Sequence, residues 1–160
     1  MASSSTNQKH VYYFAFGSNM NPKRMHDRKA YFTDRCLAKL TDYEFVLNKK
    51  RINKTAAANI RPKEESVVYG ALYTCTEDTL KVLDKFEGVK KKMYYRAKIT
   101  VKLQDGSTLD AITYIAHEHG CNNELKLVER EYLDHVLGGR DILPKDYVGF
   151  LESFSSWCSS

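Results

Sequence analysis

Two short segments carry residue types with chemistry to offer. The first is Tyr13-Phe14-Ala15-Phe16-Gly17-Ser18-Asn19-Met20. An apolar run that stops at Gly-Ser-Asn just ahead of a helix start brings several backbone N–H groups to one point. Such a nest suits a carboxylate or a developing oxyanion, and Gly17 permits close approach of the backbone. The same residues also make an ordinary strand-to-helix turn, in which Ser18 and Asn19 only cap. The second segment centres on Glu87. Leu80 and Leu83 begin an apolar helical stripe, and four residues beyond Leu83 the stripe reaches Glu87. A carboxylate there faces inward and sits at a helix C-terminus, where the dipole disfavours negative charge. Both effects raise its pKa, as a general base working near neutral pH requires. The competing reading is a surface Glu paired with Lys90 or Lys91, because the turn at Gly88 can swing it outward.

Other clusters are weaker. His117, His119 and Cys121 could share a metal if alternate histidines end a strand. No second cluster supplies the remaining ligands, and exposure ahead of a polar loop is the plainer reading. Lys49-Lys50-Arg51 and Lys90-Lys91-Lys92 border expected turns and read as solvated charge rather than a nucleic-acid surface. Neither a G-x-G-x-x-G nor a Walker A pattern occurs.

The elements that must position these residues follow from the pattern. Residues 11–16 form a short apolar, aromatic-rich strand. Asn21-Pro22 opens a helix to about residue 28, with Asn as cap and Pro at the first helical position. Residues 35–40, 43–50 and 67–75 read as strands. Thr76 caps a helix with Glu77 and Asp78 in its first turn, ended by Gly88. Residues 93–103 alternate, with Met93, Tyr95, Ala97, Ile99, Val101 and Leu103 on one face. Asp105-Gly106 is a hairpin turn, and 109–116 is the returning strand. Residues 123–137 read as a helix closed by Gly138-Gly139, and 145–154 as a last short helix. The fold class is therefore α+β (mixed α/β): a small curled mixed sheet or partial barrel flanked by helices.

One hundred and sixty residues with 42% hydrophobic and 28% charged residues fit a single globular domain over 11–154. Residues 1–10 and 155–160 read as tails. The polar Ser-rich start lacks the apolar stretch of a signal peptide, and no apolar run spans a bilayer, so the expected location is cytoplasmic. Four scattered cysteines without a Cys-x-x-Cys pair read as free buried thiols. A net charge of +5 is too small to imply nucleic acid.

Taken in order, the motifs resemble the γ-glutamyl cyclotransferase family. The segment 13–20 is similar to that family's Tyr-Phe-Ala-Tyr-Gly-Ser-Asn-Leu signature. Leu83-Asp84-Lys85-Phe86-Glu87-Gly88-Val89 resembles the segment holding its catalytic Glu, followed by Met93-Tyr94. Glu131-Tyr132 and Leu143-Pro144-Lys145-Asp146-Tyr147 also look familial. Phe16 departs from the family's Tyr, and residues 50–66 show no match. The resemblance implies a γ-glutamylcyclotransferase that forms 5-oxoproline without metal or cofactor. Glu87 would be its general acid/base, and Tyr13, Phe14, Ala15, Phe16, Gly17, Ser18, Asn19, Tyr94 and Tyr132 would contact substrate. The implied partner is a small γ-glutamyl compound, with no nucleic acid and no membrane; a homodimer stays open. The alternatives are a cyclotransferase acting on γ-glutamylamines or glutathione, or a non-catalytic binding module on the same fold. γ-Glutamylamine relatives more often show Gly-Thr-Leu where this chain has Gly-Ser-Asn.

Overall fold

Five strands close into a barrel in the order β1-β3-β2-β4-β5, as seen in a computed structural model that describes residues 9–159. The strands are β1 (Val11–Ala15), β2 (Asp34–Lys50), β3 (Ala56–Cys75), β4 (Tyr94–Leu103) and β5 (Thr108–Ala116). The helices are α1 (Pro22–Asp27), α2 (Glu77–Phe86), α3 (Arg130–Val136) and α4 (Lys145–Glu152). The expected curled α+β sheet is thus fully closed: β1 runs antiparallel to β3 and meets β5 in parallel at Tyr13↔Ile112. None of the described helices is long and apolar enough to cross a membrane.

Local signals explain much of this. Asn21 caps α1 as expected, its side-chain oxygen accepting from the Lys23 N–H at 3.0 Å, with Pro22 at the first position. Gly106 turns the β4–β5 hairpin at φ +89°, and Gly88 follows α2 at φ +65°, where a Cβ would also strike the Met93 sulfur at 2.7 Å. Leu80 and Leu83 are buried under α2. Thr76 stands at the N-cap position, but its side chain makes no capping bond; the Thr79 hydroxyl instead donates to the Tyr31 carbonyl.

Several expectations change. The two strands expected over 35–40 and 43–50 are one strand, bent by an irregularity between Thr41 and Tyr43. β3 starts at Ala56 rather than 67. Its centre, from Arg61 to Glu65, is exposed and carries Pro62, which masks a strand whose ends are buried. The helix expected over 123–137 begins only at Arg130. The backbone ahead of it is engaged elsewhere: the Ala56 N–H donates to the Leu127 carbonyl, and the Val128 N–H to the Trp157 carbonyl. Tertiary pairing overrides helix propensity there. On β4 the alternation holds for Ile99 and Val101, but Tyr94 is buried while Tyr95 is exposed. Among the cysteines only Cys75 is buried; Cys36, Cys121 and Cys158 are half-buried free thiols. The tail expected at 1–10 lies outside the described residues except for Lys9 and His10. Residues 155–157 belong to a 3-10 turn, Ser153–Trp157.

Candidate active site

β1 ends where the chain must leave the barrel, and the 3-10 turn Ser18–Met20 follows at once. Only the Met20 and Asn21 N–H groups close that turn. The N–H groups of Gly17, Ser18 and Asn19 therefore donate to no backbone carbonyl among the described residues. Gly17 is required by close packing: a Cβ there would come within 2.9 Å of the Ala58 Cβ.

The turn opens on a cavity of about 350 Å³. Tyr13, Phe16, Gly17, Ser18, Asn19, Glu87, Tyr94 and Tyr132 all line it. Phe14 and Ala15, expected among the contacts, do not. Phe14 is fully buried with its carbonyl accepting from Thr113, and Ala15 pairs with Ala71. Alternation along β1 turns Phe14 to the face opposite Tyr13.

Glu87 is the C-cap of α2, its N–H bonded to the Leu83 carbonyl, so the helix end aims the side chain over the cavity. Its ionic partner is Arg28 at 3.9 Å rather than Lys90 or Lys91. Among the described residues the carboxylate accepts no hydrogen bond. Burial pushes its pKa above the ordinary value; the charges of Arg28 and Arg24 pull it back without cancelling the rise.

Arg28 is itself held. It donates to the Asn19 side-chain oxygen at 3.0 Å and lies over the Phe86 ring. Asn19 donates onward to the Tyr13 hydroxyl at 3.0 Å, while its backbone carbonyl accepts from Tyr73 at 2.6 Å. The glycine-rich turn and the carboxylate thus share one rigid bracket. Tyr94 and Tyr132 both hold the backbone of one residue: Tyr94 donates to the Ala58 carbonyl, and the Ala58 N–H donates to the Tyr132 oxygen, both at 2.8 Å. Tyr13 and Tyr132 each accept one bond, which leaves their hydroxyl protons without an acceptor among the described residues. Burial raises both pKa values, so both stay neutral donors.

Sequence reasoning missed the cations. Arg24, Arg28, Lys49, Lys50 and Arg51 line the cavity, and Glu87 is the one carboxylate among its described lining residues. Arg24 and Arg28 lie four apart on and just after α1, so their shared face was readable. The run Lys49-Lys50-Arg51 is solvated only in part: Lys50 is exposed, but Lys49 is only 5% exposed. The His117 ring lies tilted against that of Tyr95, with His119 at 5.6 Å between ring centres. Cys121 donates to the His117 carbonyl. No three metal-ligating side chains converge among the described residues.

These geometries can be set beside known proteins. A family model described as gamma-glutamyl cyclotransferase, AIG2-like, matches residues 13–134. Over 108 residues the chain is 30% identical to a human protein named gamma-glutamylcyclotransferase, covering 64% of this chain and 57% of that one. A bovine protein of the same name is 32% identical over 107 residues, with the same shares. The chain therefore spans 57% of the length of these curated relatives. A solved gamma-glutamyl cyclotransferase structure shares the fold, with a TM-score of 0.82 at 23% identity over 91% of this chain and 88% of that chain.

Proposed function

The chain belongs to the γ-glutamyl cyclotransferase family, and from that premise we propose that it converts γ-glutamyl amino acids or peptides into 5-oxoproline and a free amino acid or peptide. One observation carries the reading. A carboxylate that accepts no hydrogen bond among the described residues, its pKa raised by burial, shares a cavity with a turn whose backbone N–H groups are unpaired among those residues.

The substrate's α-amine attacks its own γ-carbonyl carbon. Its ammonium must first lose a proton, and Glu87 accepts it; the second proton that this nitrogen sheds as the lactam forms goes to solvent. As the ring closes, charge gathers on the carbonyl oxygen, where the N–H groups of Gly17 and Ser18 stabilise it. The C–N bond to the leaving group then breaks, and Glu87 returns the proton to the departing nitrogen. One carboxylate serves both transfers because the proton taken is the proton given. Attack is intramolecular, so holding the glutamyl chain folded supplies much of the acceleration. The neutral hydroxyls of Tyr13 and Tyr132 and the charges of Arg24 and Arg28 suit the α-carboxylate. The experiment is direct: incubation with γ-glutamyl-alanine yields 5-oxoproline and alanine in equal amounts. Tight binding with no 5-oxoproline would instead make the chain a binding module.

A further inference from the structure

The cavity contains a cation with no counter-ion among the described residues. Lys49 is 5% exposed, and its ammonium donates to the Lys50 carbonyl at 2.8 Å. It forms no ion pair among the described residues. Burial lowers its pKa, but a buried ammonium with donors to spare is costly unless an anion meets it. Lys49 also belongs to a second, shallower groove of about 860 Å³. The two hollows share Lys49, Lys50, Arg51, Ile52 and Met93, so they adjoin at the turn between β2 and β3. The second groove adds Lys54 and has Glu124 as its one carboxylate among the described lining residues. The Arg51 charge is met by Glu129 at 2.6 Å. Lys49, Lys50 and Lys54 have no such partner among the described residues.

In the cyclisation assigned above, the glutamyl half folds back on itself at Glu87, and the leaving group extends away from the scissile bond. Lys49 lies in the wall that the cavity and this groove share. Resting on that assignment, we propose that the groove seats the leaving group and selects leaving groups with an acidic side chain. A γ-linked glutamyl-glutamate or a short γ-glutamyl oligomer fits this description. Lys49 is the specificity-determining residue, with Lys50 and Lys54 extending the positive field outward. The chemistry is unchanged: one C–N bond forms, one breaks, one α-ammonium proton passes through Glu87 to the amine of the released glutamate, and the other goes to solvent.

γ-Glutamyl-glutamate and γ-glutamyl-glutamine have nearly the same shape and differ by one charge. The expected result is a kcat/KM preference of about tenfold for the acidic peptide, carried mostly by KM, as one charged hydrogen bond supplies. The preference should shrink in Lys49→Gln, in the exposed pair Lys50→Gln/Lys54→Gln, and in high salt. The exposed pair keeps the test decisive if the buried substitution fails to fold. Equal kcat/KM for the two peptides, with 5-oxoproline formed from both, overturns the acidic seat and leaves the cyclotransferase reading standing. If neither is turned over, that reading falls, and calorimetry with the same peptides decides the seat: tighter binding of the acidic one supports it, and equal or absent binding overturns it.

Discussion

Asp84 and Glu87 stand one turn apart at the end of α2, and their surroundings push them in opposite directions. Asp84 accepts from Arg96 at 2.8 and 2.7 Å and from the Tyr114 hydroxyl at 2.7 Å. Burial alone would raise its pKa, but these bonds outweigh it and hold the carboxyl below its ordinary value. Glu77 completes the cluster from the first turn of the helix. Among the described residues Glu87 has only a guanidinium at 3.9 Å, and its pKa goes up. Residue type and helix are the same in kind; the number of donors at contact distance differs. A carboxylate saturated with donors is fixed as an anion and ties α2 to the barrel. A carboxylate left short of donors can take up and release a proton.

The sharpest way to break this contrast is Glu87→Gln. Turnover of a γ-glutamyl dipeptide should fall by at least ~100-fold while binding persists, since general acid–base catalysis is the function removed. Turnover paired with a thermal melt checks it; near-normal turnover in a folded variant would place the base elsewhere. Asp84→Asn should do the reverse. Leaving Arg96 and Tyr114 short of an acceptor costs about 1–3 kcal/mol of stability, read by denaturant unfolding, with turnover per folded molecule kept.

A subtler test moves the pKa rather than the group. Arg28 lowers the Glu87 pKa against the larger effect of burial. Arg28→Met should therefore carry the acid limb of the kcat/KM–pH profile to higher pH; an unmoved or lowered limb refutes the coupling. Smallest of all is the linkage to stability. Glu87, with its folded pKa raised, contributes stability that is present below the unfolded carboxylate value of about 4.3 and lost as pH rises through its folded pKa. Asp84, with its folded pKa depressed, contributes stability present above about 3.9 and lost as pH falls through its folded value. Melts of Glu87→Gln against the parent chain should thus show a slight gain at neutral pH that vanishes in acid. Those of Asp84→Asn should show a loss that shrinks in acid.

The half of this contrast that lies on local pattern was legible beforehand. The spacing Leu80, Leu83, Glu87 is a helical period, and Gly17-Ser18-Asn19 before Asn21-Pro22 is a strand end running into a capped helix. Both depend on neighbours within a few residues. Ala58 was not legible, because its role is to present its backbone N–H and carbonyl to Tyr132 and Tyr94, and no nearby residue signals that. Lys49 misled for the same reason: a basic triplet looks solvated until a barrel strand carries it inward. The Asp84 partners Arg96 and Tyr114 come from β4 and β5, whose pairing with each other is readable but whose approach to α2 is not.

The two-sided grip on Ala58 has a further consequence, in time rather than in space. Tyr132 lies 74 residues beyond Ala58 in the chain, and Thr113 lies 99 beyond the Phe14 carbonyl it holds at the end of β1. Contacts of that reach close late, because the loop entropy of long separations must be overcome before they form. Hairpins such as β4–β5 can assemble early and show full strand signal while the cavity is still unmade. During refolding, recovery of ligand binding should therefore trail the far-ultraviolet signal, which makes binding a clock for the last step of barrel closure.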